Sequence, residues 1–379
     1  MANTNHTKKS RRSGVKTWMG LLASLAVIGL FGWHSVKLYQ QRRQTEAQAQ
    51  VWRQEQGQGQ SQEADVGGAG TGEGFYEGLG PSVAMEDVVE YEGVTYRRTT
   101  YVKAILCMGV DRQDTFKEPQ VAGSGGQSDA IFLVAQDTAR DTVKMLAIPR
   151  DTMTLITLTD LSGNVLGRDI QHLTLAYAYG DGREVSCQYM SEAVSTLLGG
   201  LSIDSYMAVS LGALPILNEG VGGVTVTIGP EGLEEADPSF TPGAQVTLKG
   251  DLAERFVRYR DVDEQDSALD RMERQKTYIQ GFAQAAKAQA VREEGFAGRM
   301  LDEIEPYMVT NLSKGEYMDL ALTFLESSQT FSQEDIITLP GYSEHADLYD
   351  LYFPDLYEIP PIVLDLFYRA EEPIDTDQS

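Results

Sequence analysis

Two aspartates and a set of arginines are the residue types in this sequence best suited to chemistry. Asp111 closes the apolar stretch "ILCMGVD", Asp129 lies in "GQSDA", and the glycine-rich "VAGSGGQ" runs between them. Carboxylates are hard oxygen ligands, and Mg²⁺ is commonly held by one or two of them while substrate phosphates fill other positions. Taken alone, the pair reads more simply as turn or capping aspartates. Arg150 follows Pro149 after an apolar run, Arg258 and Arg260 alternate in "VRYR", and Arg271, Arg274 and Gln275 fall within about one helical turn in "RMERQ". Guanidinium groups pair bidentately with phosphate oxygens. Acids and arginines together therefore point to a pyrophosphate held by Mg²⁺ and arginine, with its leaving-group charge neutralised. Any single arginine reads equally well as a surface partner for the many acids. The sequence holds no GxxxxGK[ST], HExxH or GxSxG, which sets aside P-loop, zinc-protease and serine-hydrolase chemistry.

The segments around these residues predict a mixed α/β domain. "YVKAILCMGVD" reads as a buried strand ending in an acid, and "AIFLVAQD" and "TVKMLAIPRD" as two strands joined by a tight turn at Thr138, Ala139 and Arg140. "REVSCQYMSEAVSTLLGG" reads as a helix stopped by Gly199 and Gly200, followed by strand "YMAVS", helix "LGALPILNEGVGG" and strand "VTVTI". "KGDLAERFVRYRD" is a helix running into an arginine-bearing turn, and "LDRMERQKTYIQGFAQAAKAQAV" a long amphipathic helix. Such alternation packs helices on the faces of a sheet. Cys107 and Cys187 lie in a strand-like and a helix-like stretch without metal-ligand spacing, and read as buried free thiols.

The amino-terminal region is of another kind. Residues 18–36, "WMGLLASLAVIGLFGWHSV", would extend about 28 Å as a helix, close to the thickness of a bilayer core. Lys8, Lys9, Arg11, Arg12 and Lys16 precede it, and Lys37, Arg42 and Arg43 follow, so the positive-inside bias predicts a cytoplasmic amino terminus and an extracytoplasmic remainder. Ala47-Gln48-Ala49 is the first Ala-x-Ala after the run and lies too far away to favour signal cleavage over an uncleaved, single-pass anchor. Residues 41–80 are rich in Gln, Glu and Gly and read as a flexible stalk, with order beginning near Tyr91. The net charge is −25, and the cations around the apolar run mean that the rest is more acidic still. Such a surface lacks the electrostatic footprint of a nucleic-acid binder.

The ordered series "ILCMGVD", "GQSDAIFLVAQD", "MLAIPRDT", "LTLAYAYGDG", "SIDSYMAVSLGALPILNEGVGGVTVTI", "KGDLAERFVRYRD" and "LDRMERQKTYI" resembles the LytR-CpsA-Psr family over residues 101–285. "LPGYSEHADLYDLYFPDL" is similar to the family's closing segment. The resemblance implies a mixed β-sheet flanked by helices, with a hydrophobic tunnel for a polyprenyl chain and a polar mouth for its pyrophosphate. It implies Mg²⁺ at Asp111 and Asp129, phosphate contacts from Arg150, Arg258, Arg260, Arg271 and Gln275, and Asp129 as the residue assisting deprotonation of the acceptor. One departure stands out. The family usually carries K-[LI]-N before "AYAYG", and here His172, Leu173 and Thr174 occupy those positions, a titratable ring in place of a lysine that would touch phosphate, which makes His172 a further candidate substrate contact.

The resulting expectation is a cytoplasmic tail (1–17), a transmembrane anchor (18–36), a stalk (37–95), a catalytic domain (96–370) and an acidic tail (371–379). The expected activity is transfer of a glycopolymer phosphate from a polyprenyl-pyrophosphate carrier to a peptidoglycan hydroxyl, such as attachment of teichoic acid or capsule, without a nucleic-acid partner. Two alternatives are hydrolysis of the carrier by water in the same site and a non-catalytic carrier-binding or regulatory role, since members of the family have been named transcriptional attenuators. For topology, protease added to intact protoplasts is expected to remove the ectodomain and spare an amino-terminal tag; loss of the tag would reverse the orientation.

Overall fold

The computed structural model describes residues 83–230, 232–261, 267–346 and 349–371. The expected tail 1–17, the anchor 18–36 and the stalk as far as residue 82 lie outside the described residues, as do residues 372–379. Among the described residues no helix is long and apolar enough to cross a membrane.

The first strands, β1 (Val88–Tyr91) and β2 (Val94–Arg98), form an antiparallel hairpin whose turn residues Glu92 and Gly93 both have positive φ, as a two-residue type I′ loop requires. Order thus starts ahead of Tyr91, and the expected stalk limit at residue 95 falls inside this hairpin. The reason is long-range: β2 pairs at the far end of the chain with β15 (Tyr368–Ala370), a partner that local composition cannot reveal.

Next come β3 (Val102–Val110), β4 (Ser128–Asp137) and β5 (Thr142–Ala147), all antiparallel neighbours, with β4 and β5 joined by the anticipated turn. A second hairpin, β6 (Met153–Thr159) and β7 (Val165–His172), leads into helices α1 (Thr174–Ala178) and α2 (Glu184–Leu197). Then follow β8 (Ser205–Ser210), α3 (Leu214–Gly220), the ribbon strands β9 (Val224–Thr227) and β10 (Gln245–Leu248), α4 (Leu252–Arg258) and the long α5 (Ser267–Arg292). The chain closes with α6 (Phe296–Ile304), β11 (Met308–Thr310), α7 (Lys314–Glu326), β12 (Ile336–Thr338), the hairpin β13 (Gly341–Ala346) and β14 (Tyr349–Pro354), and α8 (Ile359–Phe367).

The main sheet has the order β11-β8-β3-β4-β5-β12, with β3 parallel to β8 and β5 parallel to β12, so it is mixed as expected. Side chains alternate between the faces of a strand. On β3 the even-numbered Ala104, Leu106, Met108 and Val110 pack with Met190 and Val194 of α2 and Val363 and Phe367 of α8. The opposite face, with Phe132 and Ala147, packs on Met272 and Ala283 of α5. The far side of α5 packs on the β9–β10 ribbon, α4 and α6 through Val224, Phe256, Tyr278 and Met300. Both cysteines are free, and burial pushes the thiol pKa of Cys107 up to about 12.

Leu106 is fully buried in mid-sheet, opposite Leu133 on one side and Tyr206 on the other. Leu106→Ala is expected to cost about 2–5 kcal/mol in urea denaturation, whereas Val291→Ala, at an exposed position on α5, should stay within about 0.5 kcal/mol of the parent.

Candidate active site

Strand polarity gathers the chemistry at one edge of the sheet. β3 ends where β4 begins, so Asp111 and Asp129 meet, and β5, antiparallel to β4, delivers Ala147 and then Arg150 to the same edge. The register slips there: Gly109 pairs with Ala130 but Val110 pairs with Ser128, which leaves Asp129 as the extra residue of a β-bulge. Bulges of this kind re-aim a side chain out of the ladder. The loop between the two acids turns back on Asp111, whose Oδ1 accepts the backbone N–H of Gln127 at 2.6 Å. Gly126 in that loop has φ +90°, and a Cβ there would lie 3.0 Å from Asp111 Oδ1, so both backbone conformation and space call for glycine.

Asp129 is clamped by two arginines. Its Oδ1 accepts from Arg150 Nη1, and its Oδ2 from Arg271 Nη1 at 3.3 Å. Arg150 also donates from Nη2 to Gln127 Oε1 at 2.8 Å and from Nε to Asp151 Oδ1 at 3.3 Å. Arg271 is buried, which lowers its pKa against the pull of Asp129, and its Nη2 is buried without a hydrogen-bond partner. Desolvation raises the pKa of Asp111; the Gln127 N–H opposes this, the neighbouring Asp129 adds to it, and Arg150 and Arg258 oppose it. Among the described residues no group of three or more His, Cys, Asp or Glu side chains converges as a metal cage.

A cavity of about 180 Å³ lies between this edge and the helices. Asp111, Asp129, Arg258, Arg271 and Gln275 line its polar part, and Phe132, Leu214, Leu217, Val257 and Ile279 its apolar part. Arg271, Gln275, Tyr278 and Ile279 all face it because they recur at helical spacing along α5. A larger open groove of about 1090 Å³ runs along the ribbon side of α5, but Glu234, Glu235, Asp261, Asp270 and Glu273 line it. Those acids would repel a pyrophosphate, so the smaller cavity is the candidate site.

Arg260 stands at the margin: it donates to Ser267 Oγ and to Asp350 Oδ2, both at 2.9 Å, and its charge is felt by Arg271. Arg258, the last residue of α4, pairs with Glu254 at 2.8 Å. Arg274 turns elsewhere, donating to the carbonyls of Phe256 and Tyr259 at the end of α4, and so serves the helix terminus instead of the site. His172 ends β7, within the fields of Asp151, Arg150 and Asp350. Sequence alone does not single out Gln127, Asp151 and Asp350: adjacency to "SD" and to "PR" is the only local mark of the first two, and nothing local marks Asp350.

A mixed sheet with paired carboxylates and converging guanidinium groups at one edge defines an α/β protein with a charged site at its strand ends. The chain belongs to the LytR_cpsA_psr family, whose model matches residues 82–359. It is 27% identical over 237 residues to the polyisoprenyl-teichoic acid–peptidoglycan teichoic acid transferase TagU of Halalkalibacterium halodurans, covering 62% of this chain and 68% of that one. The protein of the same name from Bacillus cereus is 26% identical over 254 residues, 66% of this chain and 74% of its own. The crystal structure of B. subtilis TagV shares the fold with a TM-score of 0.51 at 21% identity, over 70% of this chain and 97% of that one.

Burial lowers the pKa of His172, with Arg150 also lowering it and Asp151 and Asp350 opposing. Its ring therefore protonates only below the ordinary value near 6.5 and is neutral through the physiological range, unlike the lysine usual at this position. If the chain turns over a polyprenyl-pyrophosphate carrier, the parent and His172→Gln are expected to follow the same pH profile from about pH 6.5 to 8.5. A descending limb in the parent that disappears in His172→Gln would show instead that a charged imidazole acts there.

Proposed function

We propose that this chain transfers a glycopolymer phosphate from a polyprenyl-pyrophosphate carrier to a peptidoglycan hydroxyl. The observation that carries this reading is an apolar cavity rimmed by Asp111, Asp129, Arg258 and Arg271, where a buried guanidinium nitrogen, Arg271 Nη2, has no protein acceptor. An oily chain lodged among Leu214, Leu217 and Ile279 would set its pyrophosphate against the arginines. The names of the related transferases support the same pairing of carrier and wall acceptor. At about 180 Å³ the cavity is smaller than the roughly 300–1,000 Å³ that encloses a whole ligand. The proposed polyprenyl tunnel would thus open by parting of the apolar walls.

Asp111 and Asp129 fit Mg²⁺: they are close enough for one to raise the pKa of the other, and substrate phosphates would supply further hard oxygen ligands. When bound, the ion would supply charge neutralisation at the pyrophosphate oxygens. The residues of the chain do the positioning. Arg150, Arg258, Arg260 and Arg271, with Gln275, hold the phosphates and stabilise the charge that develops on the leaving group. The acceptor oxygen bonds to the sugar-linked phosphorus, the bridging P–O bond breaks, and its electron pair leaves with polyprenyl phosphate. The acceptor proton passes to Asp129, which can take it once phosphate oxygens have replaced its carboxylate as partners of Arg150 and Arg271.

The apolar run 18–36 would anchor this domain on the outer side of the membrane, where carrier and wall meet. Water attacking in place of the acceptor would make the same site a pyrophosphatase, and a reconstituted assay separates the two by whether the glycopolymer becomes linked to peptidoglycan. In that assay Asp111→Asn is expected to lower turnover about 100-fold with an unchanged melting temperature, since the substitution also removes a carboxylate crowded by Asp129. Near-normal turnover throughout a Mg²⁺ titration would leave Asp111 a turn residue.

A further inference from the structure

Arg150 makes contacts of two kinds. Nη1 and Nη2 bind Asp129 and Gln127, groups that sit at the edge where the cavity lies, while Nε binds Asp151 behind it at 3.3 Å. The backbone that carries this pair is pinned by three hydrogen bonds from two segments: Thr174 N–H donates to Arg150 O at 3.0 Å and Leu173 N–H to Thr152 O at 2.8 Å, while Tyr352 N–H donates to Asp151 O at 3.0 Å. Asp151 is only 8% exposed, and its Oδ2 has no hydrogen-bond partner. A buried carboxylate oxygen left unpaired is unfavourable. Beside it is a space of about 10 Å³ lined also by Arg150, Ser343 and Asp350, roughly the minimum for one water.

We propose that Asp151 is a positioning residue that keeps Arg150 aimed at the phosphate once Asp129 has released it. This rests on the phosphate-facing reading of Arg150. In the ligand-free arrangement Asp129 and Gln127 orient the guanidinium, but a substrate that takes over Nη1 and Nη2 removes both restraints. The Nε bond to Asp151 lies outside that exchange. With Nε held, the Nη1–Nη2 edge stays presented as a planar fork, the geometry that bidentate phosphate binding needs. Without it, the long side chain would have to be ordered by the ligand itself, at an entropic cost charged to each binding event.

The test is binding of inorganic pyrophosphate, with saturating Mg²⁺, to the full-length chain in detergent, followed by calorimetry. Asp151→Ala is expected to weaken binding about tenfold or more, and Asp151→Asn, whose amide oxygen still accepts from Nε, less than threefold. In an Arg150→Ala background Asp151→Ala is expected to add no further loss, because its effect runs through that arginine. Asp151→Ser, too short to reach Nε, repeats the comparison should the alanine variant fail to melt cooperatively. Unchanged affinity in Asp151→Ala, or a full additional loss on top of Arg150→Ala, would overturn the proposal while leaving the transfer reading intact. Failure of the unmodified chain to bind pyrophosphate would overturn that reading and this one together.

Discussion

The site depends on one carboxylate held between two guanidinium groups. Asp129 reaches Arg150 and Arg271 only because a bulge lifts it from the ladder at the start of β4, a pinned turn presents Arg150, and the first turns of α5 present Arg271. Buried charges are tolerated when paired and costly when left alone. Arg271, with a side chain only 9% exposed, therefore needs an anion beside it whether or not a substrate is present. In the ligand-free molecule Asp129 is that anion. Its two oxygens offer the arginines what two phosphate oxygens would offer, and so the site is neutralised by its own residues until something displaces them.

That arrangement constrains the architecture around it. Helix α5 packs on the sheet through Met272 and Ala283 and on the ribbon through Tyr278 and Ala286, so the face bearing Arg271 and Gln275 is held between two cores. The carboxy-terminal hairpin contributes Asp350, which fixes Arg260 beyond the end of α4. β15 returns to β2, tying the last described strand to the first hairpin. Movement that admitted a longer apolar guest would fall to α3 and α4, which wall the cavity without belonging to the main sheet.

The central strands and α5 were legible in the sequence because burial on one or both faces imposes a period or an unbroken apolar run. The acids and arginines of the site were legible as types at the ends of those elements. Less could be read where partners are distant or patterns ambiguous. β6 is buried along nearly its whole length, so Met153–Thr159 shows no clean alternation and nothing in the local pattern announces its hairpin with β7. Arg274 sits three residues from Arg271, close enough in sequence to suggest a shared task, yet it turns to the carbonyls at the end of α4 while Gln275, one position further, shares the cavity. Asp350 joins the cluster through a contact 90 residues long, which no local pattern encodes.

The charge balance bears on the order of events under the proposed function. A chain of net charge −25 repels a phosphate-rich polymer, and at physiological ionic strength that repulsion fades beyond about 8 Å. The arginines cannot offset it from a distance, since Arg150 and Arg271 are largely buried and already spoken for by Asp129. Electrostatic steering, which accelerates association when surface charges are complementary, is therefore set against the donor within that range and absent beyond it. The apolar end of the carrier has no such obstacle, because burial of hydrocarbon is indifferent to charge. Capture would begin with the lipid in the apolar part of the cavity, and the high local concentration that follows would let phosphate oxygens compete with Asp129 for its two arginines.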